Sequence, residues 1–423
     1  MVRPRLNMEP AAKRRVVVTG IGVTTPIGHN LAESVGSLRE GRGGIRYMEE
    51  WDRIEDMHGR LGATVEGLDL KKVYPRKRRR TMGKVALLAV HAADEAVAQS
   101  GLDESVLKGE RCGVAFGSTS GSGSETEAFS KPLALNLSMK GLESNAYFRL
   151  MTHTCAVNVG QFFGVRGRIA STCTACTSGS QGIGTAFELI KDGYQDVMIA
   201  GGAEEMHYTS AVTFDLLMAT SHRYNDNPEL SPRPFDAARD GLVVGEGAGA
   251  LVLESLEHAQ ARGATILAEL AGYASNCDGA HLTAPRTEGM ARVMRLALDS
   301  ASMAPLDVGY VCAHGTGTEI GDVAESQATE QVFGDKMPVA SLKGYVGHTL
   351  GACGAVESAW SIAMLRDGFF APCRNLTDVD PRCASLDYVR ELRPWSGPET
   401  IVNNNFAFGG INTSLVFRAW HAA

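Results

Sequence analysis

Apolar positions along this chain follow two alternating rhythms. Short runs of Val, Ile, Phe and Ala closed by glycine read as strands buried on both faces. "RRVVVTGIGVTTPIG" near the N-terminus is the first, and "CGVAF", "VGYVCA" and the final "NNNFAFGGINTSLVF" follow the same rule. Between them lie stretches with a period near 3.6, which predict helices. Residues 178–193, "SGSQGIGTAFELIKDG", set Ile183, Phe187 and Ile190 on one helical face and close on Lys-Asp-Gly. Residues 350–368, "LGACGAVESAWSIAMLRDG", set Val356, Trp360 and Ala363 likewise and close on Arg-Asp-Gly. Each opens with small residues and follows a segment rich in reactive side chains. Two strand–loop–helix units that echo each other predict a duplicated α/β fold with one site between its halves. The boundary falls after "LVLESLEHAQARGA", dividing residues 14–260 from residues 261–423.

Composition narrows the class. With 423 residues, 44% of them hydrophobic and 21% charged, the chain builds a large core, which excludes disordered and collagen-like classes. No apolar run reaches the length of a membrane span, and the basic N-terminus "MVRPRLNMEPAAKRR" lacks the apolar middle of a signal peptide, so a cytoplasmic location is expected. A net charge of −7 argues against nucleic acid as the main partner. Nine scattered cysteines, an odd number without zinc-ribbon spacing, suit free thiols in a reducing compartment. One local exception to the acidic balance is "RKRRR", Arg76–Arg80, which reads either as a solvated face or as a docking patch for an acidic protein.

Glycine-rich stretches invite cofactor readings that do not hold. Gly20 and Gly22 are followed by Thr25 where a dinucleotide fingerprint needs its third glycine; "GEGAG" is equally incomplete. "GSTSGSGS" lacks the Gly-Lys-Ser/Thr ending of a phosphate loop and reads as a flexible loop after a strand.

Reactive residues gather in three segments. In "STCTACTSGSQGIG", Cys176 stands where the first echo helix begins, and the helix dipole with its free N–H groups would favour a nucleophilic thiolate. Cys173 completes a C-x-x-C, but redox motifs of that kind open small domains and are not found mid-chain in a protein this long. "AHGTGTEIGD" places His314 at a strand end, with the hydroxyls of Thr316 and Thr318 free to bind a ligand. "SLKGYVGHTLGACGAVES" brings Lys343, His348 and Glu357; Lys343 and Glu357 read equally as a mutually neutralising pair. A Cys–His pair for acyl transfer needs one histidine as base, whereas two neutral imidazoles suit an enolate oxyanion. Cys176, His314 and His348 show no metal-ligand spacing, and no metal is expected. Near the C-terminus, the Gly409-Gly410 pair would let Phe408 move as a gate or complete an oxyanion hole.

In this order, "TACTSG", "HGTGT", "LKGYVGHTLGACGAVES" and "NFAFGGIN" resemble the β-ketoacyl-[acyl-carrier-protein] synthases, especially the type II elongating enzymes. The likeness runs from "RRVVVTGIGVTTPIG" through "RPFDAARDGLVVGEGAGALVLE" and "HLTAP" to the end. It implies a thiolase-like duplicated five-layer α/β/α/β/α fold, usually dimeric. It also implies that Cys176 takes an acyl chain from acyl carrier protein, with the N–H groups of Cys176 and Phe408 as oxyanion hole. His314 and His348 would hold malonyl carrier protein while it loses carbon dioxide, Lys343 with Glu357 would organise them, and Thr316 and Thr318 would bind the pantetheine arm. No resident cofactor is implied, because phosphopantetheine arrives on the carrier protein, which would dock at Arg79 and Arg80. The family usually has Gly at the place of Ala407 and Thr at that of Ile411, and the segment 118–155, which lines the acyl pocket and dimer contact in the family, departs from the fatty-acid enzymes. Two pathways fit: fatty-acid elongation by a homodimer, or polyketide or polyene synthesis by the active subunit of a heterodimer with a chain-length factor. Thiolase is a remote alternative, since it needs a second cysteine where this chain has histidine.

Overall fold

The computed structural model describes residues 13–421, so most of the basic N-terminal stretch lies outside the described residues. Eleven strands share one hydrogen-bonded network, yet they form two sheets of the same design. In the first, β1 (Val16–Thr24), β2 (Cys112–Gly117), β3 (Ile169–Thr172), β4 (Val197–Glu204) and β5 (Gly247–Ser255) stand in the order β3-β2-β4-β5-β1. In the second, β6 (Ala268–Cys277), β7 (Tyr310–Cys312), β8 (Pro338–Ala340), β9 (Asp387–Tyr388), β10 (Thr400–Ala407) and β11 (Ile411–Arg418) stand in the order β9-β8-β7-β10-β11-β6.

Apart from the added edge strand β9, the sense of every pair repeats. β2 runs parallel to β3 and β4, as β7 does to β8 and β10. β5 runs antiparallel to β4 and β1, as β11 does to β10 and β6. Among the described residues the sheets are hydrogen-bonded to each other only where Val16–Val18 of β1 pair with Ala268–Leu270 of β6. The duplication expected from the two echo helices is thus carried by the strands as well.

Helices complete the layers. α1 (Lys84–Ser100) and α3 (Thr154–Phe163) cover the outside of the first sheet, with α2 (Gly123–Asn136) preceding α3 in the chain. Between the sheets lie α4 (Ser178–Lys191) and α7 (Cys353–Asp367), while α5 (Thr287–Ala301) and α6 (Glu319–Phe333) cover the second sheet's outer side. α4 touches β2 to β5 on one side and β6 and β11 on the other. Every residue of α7 from Cys353 to Leu365 is buried, as a helix in a middle layer must be. The small residues that open both inner helices permit this approach. A Cβ at Gly179 would lie 2.7 Å from the Gly351 carbonyl oxygen, and one at Gly354 would lie 2.3 Å from Asn405 Oδ1. Those helix starts therefore meet at the middle of the molecule, where chemistry on either helix is shared.

One local expectation changes. "GSTSGSGS" is a loop only as far as Ser122, whose hydroxyl accepts the Glu125 N–H and starts α2. Among the described residues no helix is long and apolar enough to cross a membrane.

Candidate active site

Beyond β3 the chain turns sharply into α4, and the turn is strained. Ala175 has φ 49°, a left-handed conformation that non-glycine residues seldom hold. The turn is fixed by the Thr174 N–H donating to Ser178 Oγ at 2.9 Å and by Ser178 Oγ donating to the Ala175 carbonyl at 2.7 Å. It leaves Cys176 buried, its sulfur facing the backbone N–H groups of Cys176 itself and of Phe408. The helix start alone argued for a thiolate. Burial wins instead and pushes the thiol up to about 12, against the opposing pull of Lys343 and the two N–H groups. Cys176 therefore waits as a neutral thiol. Its alkylation by iodoacetamide, followed by peptide mass spectrometry, is expected to quicken about tenfold per pH unit from 7 to 9. A plateau below pH 8 would show a preformed thiolate and contradict this account.

The second half supplies the two imidazoles. His314 lies two residues beyond β7, held by Glu325 of α6, which accepts the N–H groups of His314 and Gly315 at 2.7 and 2.6 Å. His348 follows the short turn of helix at Lys343–Val346 and is also buried. The nearest ligand-type atoms of Cys176, His314 and His348 all lie within 4.8 Å of one another. The imidazole rings stand 5.0 Å apart and nearly perpendicular.

Their tautomers follow from their neighbours. Lys343 Nζ lies 3.3 Å from His314 Nδ1, and Asn405 Nδ2 lies 3.5 Å from the same atom. Ammonium and amide nitrogens only donate, so His314 Nδ1 accepts and its hydrogen sits on Nε2. His348 Nδ1 accepts from the Leu350 N–H at 3.3 Å, which places its hydrogen on Nε2 too, and that Nε2 has no partner among the described residues. Burial first, and Lys343 next, hold both imidazoles well below their usual range, so both are neutral. The cluster's spacing would suit a metal, which the sequence spacing did not suggest. The ring positions turned away from those donors are N–H groups, however, the wrong polarity for a metal and the right one for an oxyanion.

Behind His314, Lys343 and Glu357 form a buried ion pair at 2.5 Å. Burial alone would strip the Lys343 proton; Glu357 reverses that and holds the ammonium above its usual range. Asn405 Nδ2 donates to the other Glu357 oxygen at 2.8 Å, which fixes the amide's orientation. Cys176, His314 and His348 open onto a cavity of about 560 Å³ that Thr316, Thr318 and Phe408 also line. The two threonine hydroxyls are 2.9 Å apart. Left-handed backbone at the Phe408 turn is confined to Gly409 and Gly410, with φ 92° and 72°. Ala407 needs no such freedom, and it pairs with Ile411 across β10 and β11.

Other sequence candidates fall elsewhere. Cys173 is exposed and its thiol donates to the Thr119 carbonyl at 3.0 Å; with all nine thiols free, the C-x-x-C forms no bond. No residue of the segment 118–155 lines the cavity, although Thr119 braces the nucleophile turn from outside. Arg79 and Arg80 end a one-turn helix away from the cavity, with Arg79 partly buried and donating to the Tyr74 carbonyl at 3.1 Å. Another thiol, Cys353, donates to the Cys176 carbonyl at 3.2 Å but does not line the cavity, so it cannot serve as a thiolase base. Sequence reading missed Glu325, Asp322 and Asn405. Asp322 and Glu325 were detectable as two carboxylates on one face of the helix after "HGTGT"; burial raises them to about 6 and about 8.

A buried thiol from one half facing two neutral imidazoles from the other, on a duplicated five-layer scaffold, defines a thiolase-fold acyltransferase. The chain belongs to the beta-ketoacyl synthase family. Residues 13–259 match the family model for the beta-ketoacyl synthase N-terminal domain, and residues 267–377 match that for the C-terminal domain. The 3-oxoacyl-[acyl-carrier-protein] synthase 1 of Haemophilus influenzae is 36% identical over 96% of this chain and 100% of its own. A beta-ketoacyl synthase crystal structure from Burkholderia phymatum superposes with a TM-score of 0.93 at 52% identity, covering 96% of this chain and 100% of that one. A type II PKS acyl-carrier protein in complex with its ketosynthase gives a TM-score of 0.87 at 31% identity, covering 97% and 100%.

Proposed function

We propose that this protein is the decarboxylating condensing enzyme of fatty-acid elongation, joining an acyl chain to malonyl-acyl carrier protein. The observation that carries the reading is the convergence of Cys176, His314 and His348 within 4.8 Å, with two backbone N–H groups on the sulfur. Cys176 sulfur attacks the acyl thioester carbonyl; a new C–S bond forms as the arm's C–S bond breaks, and the arm leaves with the thiol proton. The N–H groups of Cys176 and Phe408 take the oxyanion of that step. Malonyl carrier protein then enters, and its carboxyl C–C bond breaks to release carbon dioxide. The electron pair passes into the thioester enolate, whose oxygen the two Nε2–H groups hold. The carbanion carbon attacks the acyl-Cys176 carbonyl, the C–S bond breaks, and Cys176 takes up a proton. The product is a β-ketoacyl carrier protein two carbons longer.

Lys343, positioned by Glu357, keeps His314 a donor, and Thr316 and Thr318 hold the pantetheine arm. The reading needs no resident metal or cofactor. It places the enzyme in the cytoplasm with acyl carrier protein as partner and Arg79 and Arg80 as part of its docking surface. A homodimer is supported by the sheet edge: β3 buries no residue and exposes Ile169 and Ser171, α2 buries none either, and Leu135 within it and Leu137 and Met139 just after it stand in solvent.

Intact-mass spectrometry after incubation with saturated and polyunsaturated acyl carrier proteins tests the reading. One acyl adduct, on Cys176 alone and discharged by malonyl carrier protein, is expected. Preference for saturated chains supports fatty-acid elongation; a polyunsaturated preference would assign the protein to polyene synthesis instead. No adduct with any chain would overturn both.

A further inference from the structure

Glu204, the last residue of β4, is buried, does not line the cavity and takes no part in the chemistry described above. Its Oε2 accepts two backbone N–H groups, from Thr119 at 2.8 Å and from Gly351 at 3.0 Å, and its Oε1 accepts the Ser118 hydroxyl at 3.4 Å. Thr119 belongs to the first half and Gly351 to the second, so one oxygen atom ties the halves together beside the site. On the first side the Thr119 hydroxyl donates to the Ala175 carbonyl at 3.5 Å and the Thr119 carbonyl accepts the Cys173 thiol, which fastens Thr119 to the strained turn that presents Cys176. On the second side Gly351 follows Leu350, whose N–H fixes the His348 tautomer and whose own φ of 46° is left-handed. Strained residues of this kind persist where their surroundings hold them. The fit is close: a Cβ at Gly351 would lie 2.7 Å from Glu204 Oε2, and one at Gly202 would lie 2.4 Å from the Gly351 carbonyl oxygen.

We propose that Glu204 is a positioning residue for the condensation step, its Oε2 setting the turn that presents Cys176 in register with the turn that orients His348. The inference rests on the condensing-enzyme reading above. Each turn has an anchor apart from Glu204: Ser178 for Cys176 and, for His348, the Val243 carbonyl that accepts its N–H at 2.6 Å. Each half-reaction is therefore supported on its own side. What the carboxylate adds is the distance between the sides, which decides whether the enolate carbon meets the acyl carbonyl; a misplacement of about 1 Å can cost about 10²-fold. The Cys353 thiol, which donates to the Cys176 carbonyl at 3.2 Å, is a second bridge of the weaker kind that sulfur gives. The bonds require position rather than charge. The partners of Glu204 are N–H and O–H groups rather than a cation, and Oε2 accepts from them whether or not Oε1 is protonated. Burial lifts the carboxyl to about 7, so both forms are present near neutrality.

The test compares three variants. Glu204→Gln keeps an oxygen at the same reach, Glu204→Asp keeps the charge but draws the oxygen back by one methylene, and Gly351→Ala displaces Oε2 from the other half. Each is charged with acyl carrier protein and given malonyl carrier protein. The β-ketoacyl product is then measured against acetyl carrier protein, which forms when the enolate carbon takes a proton from water before it reaches the acyl group. Glu204→Asp and Gly351→Ala are expected to lose about tenfold or more in condensation. Their acylation of Cys176 and their release of carbon dioxide should persist, so that acetyl carrier protein becomes the main product. Glu204→Gln should match the wild type, with carbon dioxide and β-ketoacyl product in equal amounts. Thermal melts identify the variants that fold, and where Glu204→Asp or Gly351→Ala does not, the other decides. Equal amounts of carbon dioxide and β-ketoacyl product in either of those two, once folded, overturn the role. So does a parallel loss of acylation, decarboxylation and condensation, or uncoupling by Glu204→Gln. Failure of the wild type to condense would instead sink the condensing-enzyme reading, and this role with it.

Discussion

Replacing Cys176 with alanine is expected to leave a protein that still decarboxylates malonyl carrier protein but makes no acyl adduct and no condensation product. The site explains why the two half-reactions separate. The decarboxylation oxyanion is held by the Nε2–H groups of His314 and His348, whose tautomers are set by Lys343, Asn405 and the Leu350 N–H, none of which depends on the Cys176 sulfur. The acylation oxyanion is held by backbone N–H groups that face that sulfur and owe nothing to the imidazoles. Condensation should fall about 10⁴-fold or more, because the covalent intermediate cannot form. The reciprocal variant, His348→Ala, should acylate on Cys176 yet decarboxylate about 10²- to 10³-fold more slowly, the usual loss for one oxyanion donor. Carbon dioxide release and intact mass, measured on both variants, check the pair of expectations. Equal loss of both half-reactions in either variant would refute the division. Cys173→Ala should behave as wild type, since its thiol faces Thr119 on the outside.

The fold was legible because its signals are local and repeated. Small residues, a helical apolar stripe and a closing Lys/Arg-Asp-Gly recur at 178–193 and 350–368, and both stretches became the buried middle helices. The reactive residues were legible by position at strand ends and helix starts. What the sequence could not carry was depth. Helix-start logic predicts a thiolate at Cys176, but the buried surroundings that reverse it are assembled from both halves. Asn405 reads as one of three polar residues in a strand, and only the crossing of α7 sets it against Glu357 and His314. Glu325 reads as a helix-surface carboxylate until α6 folds back over the His314 loop. Arg79 and Arg80 show the opposite case: a charge run is conspicuous in sequence wherever it lies, and these two stand outside the cavity wall.

Lys343→Met should reduce both stability and activity, and a second substitution should recover only the first. Lys343 and Glu357 are both almost wholly buried, so removing one partner strands a charge, at a loss of about 3–5 kcal/mol of folding stability. The double variant Lys343→Met, Glu357→Leu removes both charges and fills the space with apolar atoms, and most of that stability should return. Activity should not follow. Without the ammonium, only the Asn405 amide remains near His314 Nδ1, at 3.5 Å, and the amide has itself lost its Glu357 anchor. His314 is then free to carry its hydrogen on Nδ1 and face the enolate with a lone pair, a loss of about 10²-fold in decarboxylation. Acylation of Cys176 should survive in the double variant, because the N–H groups at the sulfur are untouched. Denaturant melts together with the two half-reaction rates decide the matter. If the double variant regained decarboxylation along with stability, the ion pair would be structural support only. If it regained stability alone, Lys343 is shown to act through the tautomer of His314.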